Sequence, residues 1–401
     1  MHDAIVVGGG PGGTTAATLM ARGGLHVLLL DKDTFPRDKI CGDAISGKSV
    51  DVLAELGMLD KVKQTDNVVA FGATFSSPDG TEVSIPFTGD MGRPKPPGFV
   101  CDRVTYDNAL MDMAKQAGVD VREGVNVKGL IREGGRAVGV RTADAEFRAP
   151  LVIGADGAYS VIVRDLGLDQ LDEDHYVAGI RAYYDGVTGF HEHNFIELHF
   201  VEESLPGYFW MFPMSRGRAN VGVGMLSSRI KKRDVKLKPL LDEVVAHPRF
   251  RERFAGATRV GPLKGWGLPL GSKPRQMAGD GWMLVGDAAS LIDPFTGEGI
   301  GNAMVSGMYA AERALEAHRL KTYDRAFLDA YGRRVLDQLQ DELRLSYNMQ
   351  RILNWQWLLN KVIQKAARSE DIKNAISIMF EDMQERGKLV SPMFYLRVLF
   401  A

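Results

Sequence analysis

The start of the chain alternates between short apolar runs and a more polar stretch. Ala4–Val7 is an apolar run that ends in glycines, Thr14–Arg22 has helical character, and His26–Leu30 is a second apolar run that ends at Asp31. Buried parallel strands appear in sequence as short continuous apolar runs, and a helix between two of them completes a strand–helix–strand unit. The pattern therefore predicts two parallel strands joined by a helix.

The hydrophobic pattern changes further along the chain. Alternating residues around the turn sequence Pro78-Asp79-Gly80 predict antiparallel strands over Ala70–Phe87. From about Val177 to Leu270 the sequence is rich in strand-like and aromatic residues, and from Gly301 onward the pattern is helical. The other predicted elements are helices at Lys48–Leu59, closed near Gly57, and at Arg103–Ala117, and strands at Val119–Arg122, Gly124–Glu133, Ala137–Thr142, Leu151–Ala155 and Trp282–Val285.

Composition narrows the class of protein. The chain has 401 residues, is 45% hydrophobic and 25% charged, and carries a formal net charge of −2. This length and composition are typical of a soluble protein of two domains, and the small net charge gives no overall electrostatic attraction to nucleic acid. Only two cysteines and no metal-ligand spacing among the histidines argue against a disulfide or metal scaffold. With no apolar run of roughly 18–20 residues and a strand at the very start, we expect a cytoplasmic protein.

A glycine motif follows the first predicted strand. Gly8, Gly10 and Gly13 have GxGxxG spacing at the start of the predicted helix. In this motif the first glycine permits a tight turn, the second lets the backbone approach a pyrophosphate, and the third allows close helix–strand packing. The free N–H groups at the helix start face the anion. Asp31 ends the next strand, where such motifs place an acid for a ribose hydroxyl.

A second glycine-rich segment follows the predicted strand Trp282–Val285. Asp287 is either a strand-end turn residue or a carboxylate that accepts a hydrogen bond from a ribityl hydroxyl. The glycines after it would let a helix start with its N–H groups against a flavin ring, where the helix terminus stabilises the negative charge of the reduced ring. The residues of this segment are Gly286, Asp287, Pro294, Gly297, Gly299, Ile300 and Gly301.

Two weaker segments lie between these motifs. Asp156-Gly157, followed by Ser160 and Arg164, is either part of the same site or a turn before a surface helix. Arg103, in the sequence Cys101-Asp102-Arg103, stands at the start of a predicted helix, where an arginine is usually solvated. Neither segment predicts a site alone, but four segments in this order predict bound FAD in a two-domain oxidoreductase.

The predicted fold class is therefore α/β. It comprises a discontinuous Rossmann-like FAD-binding domain (1–70, 100–175 and 275–325), an inserted antiparallel-sheet substrate domain (71–99 and 176–274) and a helical C-terminal region (326–401). The predicted cofactor contacts are Gly8, Gly10, Pro11, Gly13, Asp31, Lys32, Cys41, Gly42, Arg103, Asp156, Gly157, Gly286, Asp287, Pro294, Gly297, Gly299 and Ile300.

The FAD motifs resemble the family that includes p-hydroxybenzoate hydroxylase, and two further segments resemble its geranylgeranyl reductases. These are the loop PRDKICG at 36–42 and the stretch LPGYFWMFP at 205–213. The reductases carry PxxYxWxFP; here Pro206 precedes Tyr208 by two positions, so only YxWxFP matches. The resemblance covers nearly the whole chain. It implies an FAD-dependent reductase that saturates isolated double bonds of a geranylgeranyl chain by hydride transfer from reduced flavin N5.

The two subfamily segments suggest substrate contacts. Tyr208, Trp210 and Phe212 alternate, so on one strand they share a face and, with Pro213, form either an apolar wall for an isoprenoid chain or ordinary sheet core. Cys41 lies in a glycine-flanked loop, where its thiol either positions the substrate or donates a proton, or else is buried and inert. Because an isolated alkene accepts hydride poorly, the site must align it, supply a proton and exclude water. Cys41 and Tyr208 are the predicted catalytic residues.

Partners follow from the reductase interpretation. The substrate would be an isoprenoid lipid, a prenyl diphosphate or a quinone tail, and Arg37 and Lys39 either hold its headgroup or are solvated. Since no second GxGxxG segment is present, the reductant would be NADPH or a ferredoxin-like carrier protein. A prenyl substrate implies peripheral membrane contact, and the apolar end Met393–Ala401 either rests on a membrane or docks on the core.

The same scaffold also supports oxygen chemistry. An FAD-dependent monooxygenase or a flavin-dependent halogenase is the alternative, and halogenases carry WxWxIP at a comparable place. Tyr208 and Phe212 replace the first tryptophan and the isoleucine of that motif, which favours the reductase. A non-catalytic FAD-binding or electron-carrier protein is a third class, but it would not need an aromatic-walled substrate domain.

Overall fold

The structure, a computed structural model, describes residues 2–87, 98–168, 171–273, 275–370 and 372–373. Its strands are β1 (Ala4–Val7), β2 (Val27–Leu30), β3 (Ala44–Ile45), β4 (Val68–Ala70), β5 (Gly72–Ser76), β6 (Glu82–Pro86), β7 (Gly98–Val100), β8 (Asp120–Arg122), β9 (Gly129–Glu133), β10 (Arg136–Arg141), β11 (Glu146–Arg148), β12 (Val152–Gly154), β13 (Tyr176–Asp185), β14 (Ile196–His199), β15 (Gly207–Pro213), β16 (Arg218–Leu226), β17 (Thr258–Pro269), β18 (Ala278–Gly279) and β19 (Trp282–Leu284). Its helices are α1 (Pro11–Arg22), α2 (Gly47–Glu55), α3 (Leu59–Lys63), α4 (Arg103–Gln116), α5 (Val161–Asp165), α6 (Ser227–Arg233), α7 (Leu237–Ala246), α8 (Ile300–Leu320), α9 (Arg325–Ile352) and α10 (Gln356–Ala366).

The apolar runs form one mostly parallel sheet in the order β18-β19-β12-β1-β2-β8. Neighbouring strands pair in parallel except for the short edge strand β18. Every residue of β1 and β2 is buried, as expected for strands covered on both faces. Helix α1 connects these two strands and packs against α8. The strand–helix–strand unit predicted from the sequence is confirmed.

A second, seven-stranded sheet has the order β17-β13-β16-β15-β14-β5-β6. All its neighbours are antiparallel except β5 and β14. The predicted antiparallel pair around Gly80 is the hairpin β5–β6, with Gly80 in the left-handed region at a φ of 91°. Two three-stranded sheets, β11-β10-β9 and β3-β7-β4, complete the strands. The α/β class with a separate, mainly antiparallel sheet is confirmed, whereas the domain boundaries stay a prediction.

Glycines set the bounds of two predicted elements. The helix predicted over Lys48–Leu59 and closed near Gly57 is α2, which ends at Glu55; Gly57 follows with a left-handed φ of 68°, and a separate short helix, α3, begins at Leu59. The strand predicted from Gly124 begins only at Gly129, and Gly124 itself has a φ of 72° that an extended strand does not accommodate. A left-handed glycine thus ends the helix where the sequence predicted its end, and a second one delays the start of the strand.

Between Ile300 and Ala366 the chain is helical apart from two short turns, as predicted for that part of the C-terminal region. Helices α8 and α9 are 21 and 28 residues long and pack against each other, and α10 packs against β6. Among the described residues, no helix is both long and apolar enough to cross a bilayer. The apolar end Met393–Ala401 lies outside the described residues.

Candidate functional site

A cavity of about 1270 Å³ lies between the parallel sheet and the seven-stranded sheet. Residues of all four sequence motifs and of both subfamily segments line it. The predicted residues that the cavity brings together are Gly8, Gly10, Pro11, Asp31, Lys32, Cys41, Gly42, Arg103, Asp156, Gly157, Tyr208, Trp210, Phe212, Gly286, Asp287, Gly297, Gly299 and Ile300. Three predicted residues, Gly13, Pro213 and Pro294, do not line it.

The glycine loop has the geometry that an anion requires. Helix α1 begins after Gly10, and no side chain caps its N-terminus. A Cβ added at Gly10 would meet nothing within 4 Å, so the loop backbone borders open space. At Gly13 an added Cβ would lie 1.9 Å from the Gly8 carbonyl oxygen, which explains why this position packs the helix rather than lining the cavity. An uncapped helix start against open space fits a dinucleotide pyrophosphate.

Asp31 has a different set of partners from the predicted ribose contact. Its Oδ2 accepts a hydrogen bond from the Gly9 N–H at 2.6 Å, and its Oδ1 accepts one from the Asp33 N–H at 2.8 Å. Burial raises the pKa of this carboxyl. Asp31 therefore fixes the glycine loop on β2, and the ribose contact stays a prediction.

The Asp156 carboxylate also accepts hydrogen bonds from its own segment of the chain. Its Oδ1 accepts a hydrogen bond from the Ser160 hydroxyl at 2.5 Å, and its Oδ2 accepts one from the Val161 N–H at 2.7 Å. Ser160 in turn caps α5. The sequence left open whether this segment is part of the cofactor site or a turn before a helix. These contacts are those of a turn before a helix, and Asp156, Gly157 and Arg164 also line the cavity.

The segment around Asp287 places a buried carboxyl beside two cations. Burial raises the pKa of Asp287, and the charges of Lys39 and Arg103 oppose that rise. The start of α8 is not fully open, because the Gly301 N–H donates to Glu298 Oε1 at 2.6 Å. One of the N–H groups predicted to face a ring is thus capped by a neighbouring side chain.

Arg103 is buried rather than solvated. It is 5% exposed, and its Nε and Nη2 donate to the two carboxylate oxygens of Asp107 at 2.6 and 2.8 Å. Arg37 also donates to Asp107, at 2.8 Å, so its predicted headgroup role competes with an internal ion pair. The Lys39 ammonium lies 3.9 Å from the ring centre of Trp266, and burial lowers its pKa to about 8.

The loop after Lys39 presents the Cys41 thiol to the cavity. Burial raises the pKa of this thiol and the Asp43 carboxylate adds to the rise, whereas the Arg103 guanidinium and the Asp43 backbone N–H beside the sulfur oppose it. Asp43 has a left-handed φ of 67° and is fully buried. Its Oδ2 accepts hydrogen bonds from the Tyr183 hydroxyl at 2.7 Å and from Asn220 Nδ2 at 2.8 Å.

The second carboxylate oxygen of Asp43 takes no part in this hydrogen-bond network. Its Oδ1 is buried and has no hydrogen-bond partner among the described residues. Burial raises the pKa of Asp43 to about 7, against the hydrogen bonds from Tyr183 and Asn220 and the charges of Arg181 and Arg103. Sequence analysis missed these residues; the only available signal was an acid directly after the Cys-Gly pair.

Tyr208, Trp210 and Phe212 share one face of β15 and line the cavity, as predicted. The alternate residues Phe209 and Met211 point into the core on the other side of the sheet. A Cβ on Gly222, opposite Trp210 on β16, would lie 2.1 Å from the indole, so the glycine makes room for that ring. The predicted apolar wall is therefore present in the cavity.

The aromatic wall contacts both other segments of the site. The Tyr208 hydroxyl donates to the Thr296 carbonyl at 2.6 Å, in the glycine-rich segment before α8. A Cβ on Gly42 would lie 3.0 Å from the Phe212 ring. The wall, the cysteine loop and the second glycine-rich segment thus meet.

A buried ion pair was also missed. Lys48 of α2 donates to Glu342 of α9 at 2.9 and 3.0 Å and to Asn302 of α8 at 2.5 Å. Lys48 and Glu342 both line the cavity. Since the two partners are 294 positions apart, no local pattern could have linked them.

Comparison with known proteins agrees with this geometry. Residues 1–344 match a family model described as FAD binding domain. A menaquinone reductase of Mycobacterium tuberculosis is 33% identical over 340 residues, which cover 82% of this chain and 81% of the relative. A digeranylgeranylglycerophospholipid reductase of Methanosarcina mazei is 33% identical over 322 residues, covering 79% of this chain and 75% of the relative.

Comparison with solved structures agrees with these sequence relatives. A geranylgeranyl bacteriochlorophyll reductase-like protein from Thermoplasma acidophilum superimposes with a TM-score of 0.81 at 28% identity, covering 97% of this chain and 98% of that one. A flavin-dependent brominase has a TM-score of 0.80 at 19% identity, covering 99% and 98%, and shows the fold alone. The chain therefore belongs to the FAD-binding-domain family and, within it, to the geranylgeranyl reductases, and it is an FAD-dependent oxidoreductase.

Proposed function

We propose that the protein saturates isolated double bonds of a geranylgeranyl or other isoprenoid chain. The observation that carries this proposal is the meeting of three segments in one cavity: the Cys41-Gly42 loop, the aromatic wall and the turn at Thr296. An apolar wall next to a thiol, beside loops that fit FAD, suits an alkene better than a polar substrate. The M. mazei relative, named for a digeranylgeranyl lipid, supports the same substrate class.

The protein's own groups would hold the cofactor. Gly8, Gly10 and the start of α1 would bind the pyrophosphate, and Asp287 the ribityl chain. Bound FAD, once reduced, supplies the hydride. The reductant that recharges it would be NADPH or a ferredoxin-like carrier. The charges of Lys39 and Arg103 near Asp287 would favour an anionic reduced cofactor.

Cys41 is the proposed proton donor. Because burial raises its pKa, the thiol keeps its proton at neutral pH. One alkene carbon receives the hydride and the other receives the proton from Sγ, so the double bond is saturated and a thiolate remains. Arg103 and the Asp43 backbone N–H beside the sulfur would stabilise that thiolate until solvent returns a proton.

Tyr208 has a different proposed role. Its hydroxyl proton is engaged with the Thr296 carbonyl, and burial raises its pKa further, so it is a poor proton donor. We assign it to alignment: it ties the aromatic wall to the turn before α8, while Trp210 and Phe212 pack the isoprenoid chain. Excluding water from this wall favours hydride transfer to carbon over side reactions.

The proposal is tested by giving chemically reduced, oxygen-free enzyme a geranylgeranyl lipid in detergent and weighing the product. Stepwise gain of two hydrogen masses per double bond is the expected result. An unchanged lipid, together with halogenated or hydroxylated phenols or pyrroles when air and halide are supplied, would assign the protein to the monooxygenase or halogenase chemistry of the same fold.

A further inference from the structure

Two tryptophans stand at the surface where α9 turns into α10. Trp355 is 54% exposed and Trp357 is 58% exposed, although side chains this apolar are on average largely buried. Leu358 and Leu359, directly after them, are buried. The turn therefore presents two indoles outward while α10 is anchored by its other face.

The segment around these tryptophans carries charge of one sign. From 343 to 369 the sequence contains no aspartate or glutamate. The Lys361 ammonium lies 5.7 Å from the ring centre of Trp357, and Arg229 of α6 donates to Asn354 in the same turn at 2.9 Å. The basic residues of the segment are Arg344, Arg351, Lys361, Lys365 and Arg368.

The buried face of α10 belongs to the layer that encloses the cavity. Leu359 and Ile363 lie in one hydrophobic cluster with Phe212 of the aromatic wall, and Tyr208 and Trp210 pack against that cluster. The end of α9 contributes directly as well, because its residues Leu345 and Met349 line the cavity. The helix that carries Trp357 on its exposed face thus packs with its buried face against the aromatic wall of the proposed isoprenoid site.

We propose that this surface, the tryptophan turn (Arg351, Trp355, Trp357 and Lys361), docks on a lipid bilayer that carries anionic headgroups. Indole rings settle at the membrane–water interface, and lysine and arginine beside them are attracted to negative lipid charge. The inference rests on the proposed function, since an isoprenoid lipid is itself held in a bilayer. It names where the enzyme would meet that bilayer.

The test variant is W355S/W357S. Trp355 occupies the N-cap of α10 without making a side-chain cap, and serine is favoured at that position, so the helix should be retained. Leu320→Ser is the matched control, because Leu320 is 52% exposed at the end of α8, outside the basic segment. Lys361→Glu tests the charge separately.

The experiment is co-sedimentation of the FAD-loaded proteins with vesicles of phosphatidylcholine, alone or mixed with phosphatidylglycerol. Wild type and L320S should bind the anionic vesicles and be released by high salt. Binding should weaken about tenfold or more in W355S/W357S and, because two units of charge change, about thirtyfold in K361E. Full binding by W355S/W357S, no binding by wild type, or a tryptophan-dependent dimer seen in ultracentrifugation would each overturn the proposal.

A second measurement separates this inference from the proposed function. In detergent, where no bilayer is needed, W355S/W357S should reduce a geranylgeranyl lipid as fast as wild type, and in anionic vesicles it should be about tenfold slower. If wild type reduces no lipid in detergent, the proposed function fails while vesicle binding still decides the docking surface. If the variant is equally slow in both media, the turn acts on folding and the docking proposal is wrong.

Discussion

The indole Nε1–H of Trp210 donates a hydrogen bond to Oδ1 of Asn220 at 2.9 Å. The amide nitrogen of Asn220 donates in turn to the Cys41 carbonyl at 2.9 Å and to Asp43 Oδ2 at 2.8 Å. One fully buried amide therefore joins the aromatic wall to the cysteine loop. Hydrogen bonds through Asn220 therefore link the backbone of the cysteine loop to the aromatic wall, in addition to the close approach of Gly42 to Phe212.

Replacing Asn220 with Ala should uncouple the two segments. The Trp210 indole N–H and the Cys41 carbonyl would lose their partner, while Asp43 Oδ2 keeps the Tyr183 hydroxyl. A fully buried group left unsatisfied costs about 1–3 kcal/mol, and these two half-buried groups should each cost about 1 kcal/mol. We expect a lower free energy of unfolding in urea and a larger fall in alkene reduction than in bound FAD. Asn108→Ala, which removes one half-buried hydrogen bond on α4, is the control and should change stability by about 0.5 kcal/mol or less. Equal stability of N220A and wild type would contradict the coupling.

Gly10 should be required for FAD retention. Its φ of −75° is open to any residue, so Gly10→Leu introduces a side chain into the cavity without backbone strain. The leucine would occupy the space assigned to the pyrophosphate, and the ratio of 450 nm absorbance to protein after gel filtration should fall about tenfold or more. Gly256→Ala, also into open space but away from the cavity, should retain FAD. A yellow, saturated G10L protein would refute the cofactor assignment.

Cys41 should be required for chemistry and not for cofactor binding. Removing a general acid typically slows a reaction by about 10²–10⁴-fold, so Cys41→Ala should bind FAD normally and reduce the alkene at least about a hundredfold more slowly. Cys101→Ala is the control, since that thiol is buried in the core and does not line the cavity. Turnover per bound FAD is the measurement, and an unchanged rate in C41A would return Cys41 to a structural role.

Asp43 should make stability depend on pH. Its pKa is raised from 3.8 to about 7, so the folded state favours the neutral carboxyl. The contribution of Asp43 to the free energy of unfolding is therefore fully present below about pH 4 and is lost as the pH rises through 7. The loss is at most about 4 kcal/mol, at roughly 1.4 kcal/mol per pKa unit. Asp43→Asn keeps the size, and its side chain tolerates the left-handed backbone. Urea midpoints from pH 5 to pH 8 should fall less in D43N than in wild type; parallel profiles would show that Asp43 does not titrate in this range.

Sequence patterns predicted the parts of the fold and site that depend on local spacing. The strand–helix–strand unit, Gly8, Gly10 and Gly13 in their loop, and the shared face of Tyr208 and Trp210 all follow from short-range periodicity. The partners of a carboxylate do not. Asp31 proved to hold the backbone at Gly9, a contact that spacing cannot distinguish from a ligand contact.

Contacts between elements that are far apart in the chain could not be predicted from the sequence. Arg103 was predicted to contact the cofactor, and the sequence did not indicate that Arg37, 70 positions before Asp107, shares with Arg103 the buried Asp107 carboxylate. The pair of Lys48 and Glu342 joins α2 to α9 across most of the chain, and only the packed helices bring it to the cavity. Such groups carry no signature in one sequence because their partner is chosen by tertiary packing.

Anaerobic flavin reoxidation shows whether isoprenoid carbon accepts the electrons of the reduced FAD. Enzyme reduced to completion without oxygen is mixed with a geranylgeranyl lipid, and the return of the 450 nm band is followed beside the product mass. We expect one FAD to be reoxidised for each double bond saturated, before any air is admitted. A flavin that stays reduced with the lipid present and reoxidises only in air would show that oxygen, not the isoprenoid carbon, accepts its electrons.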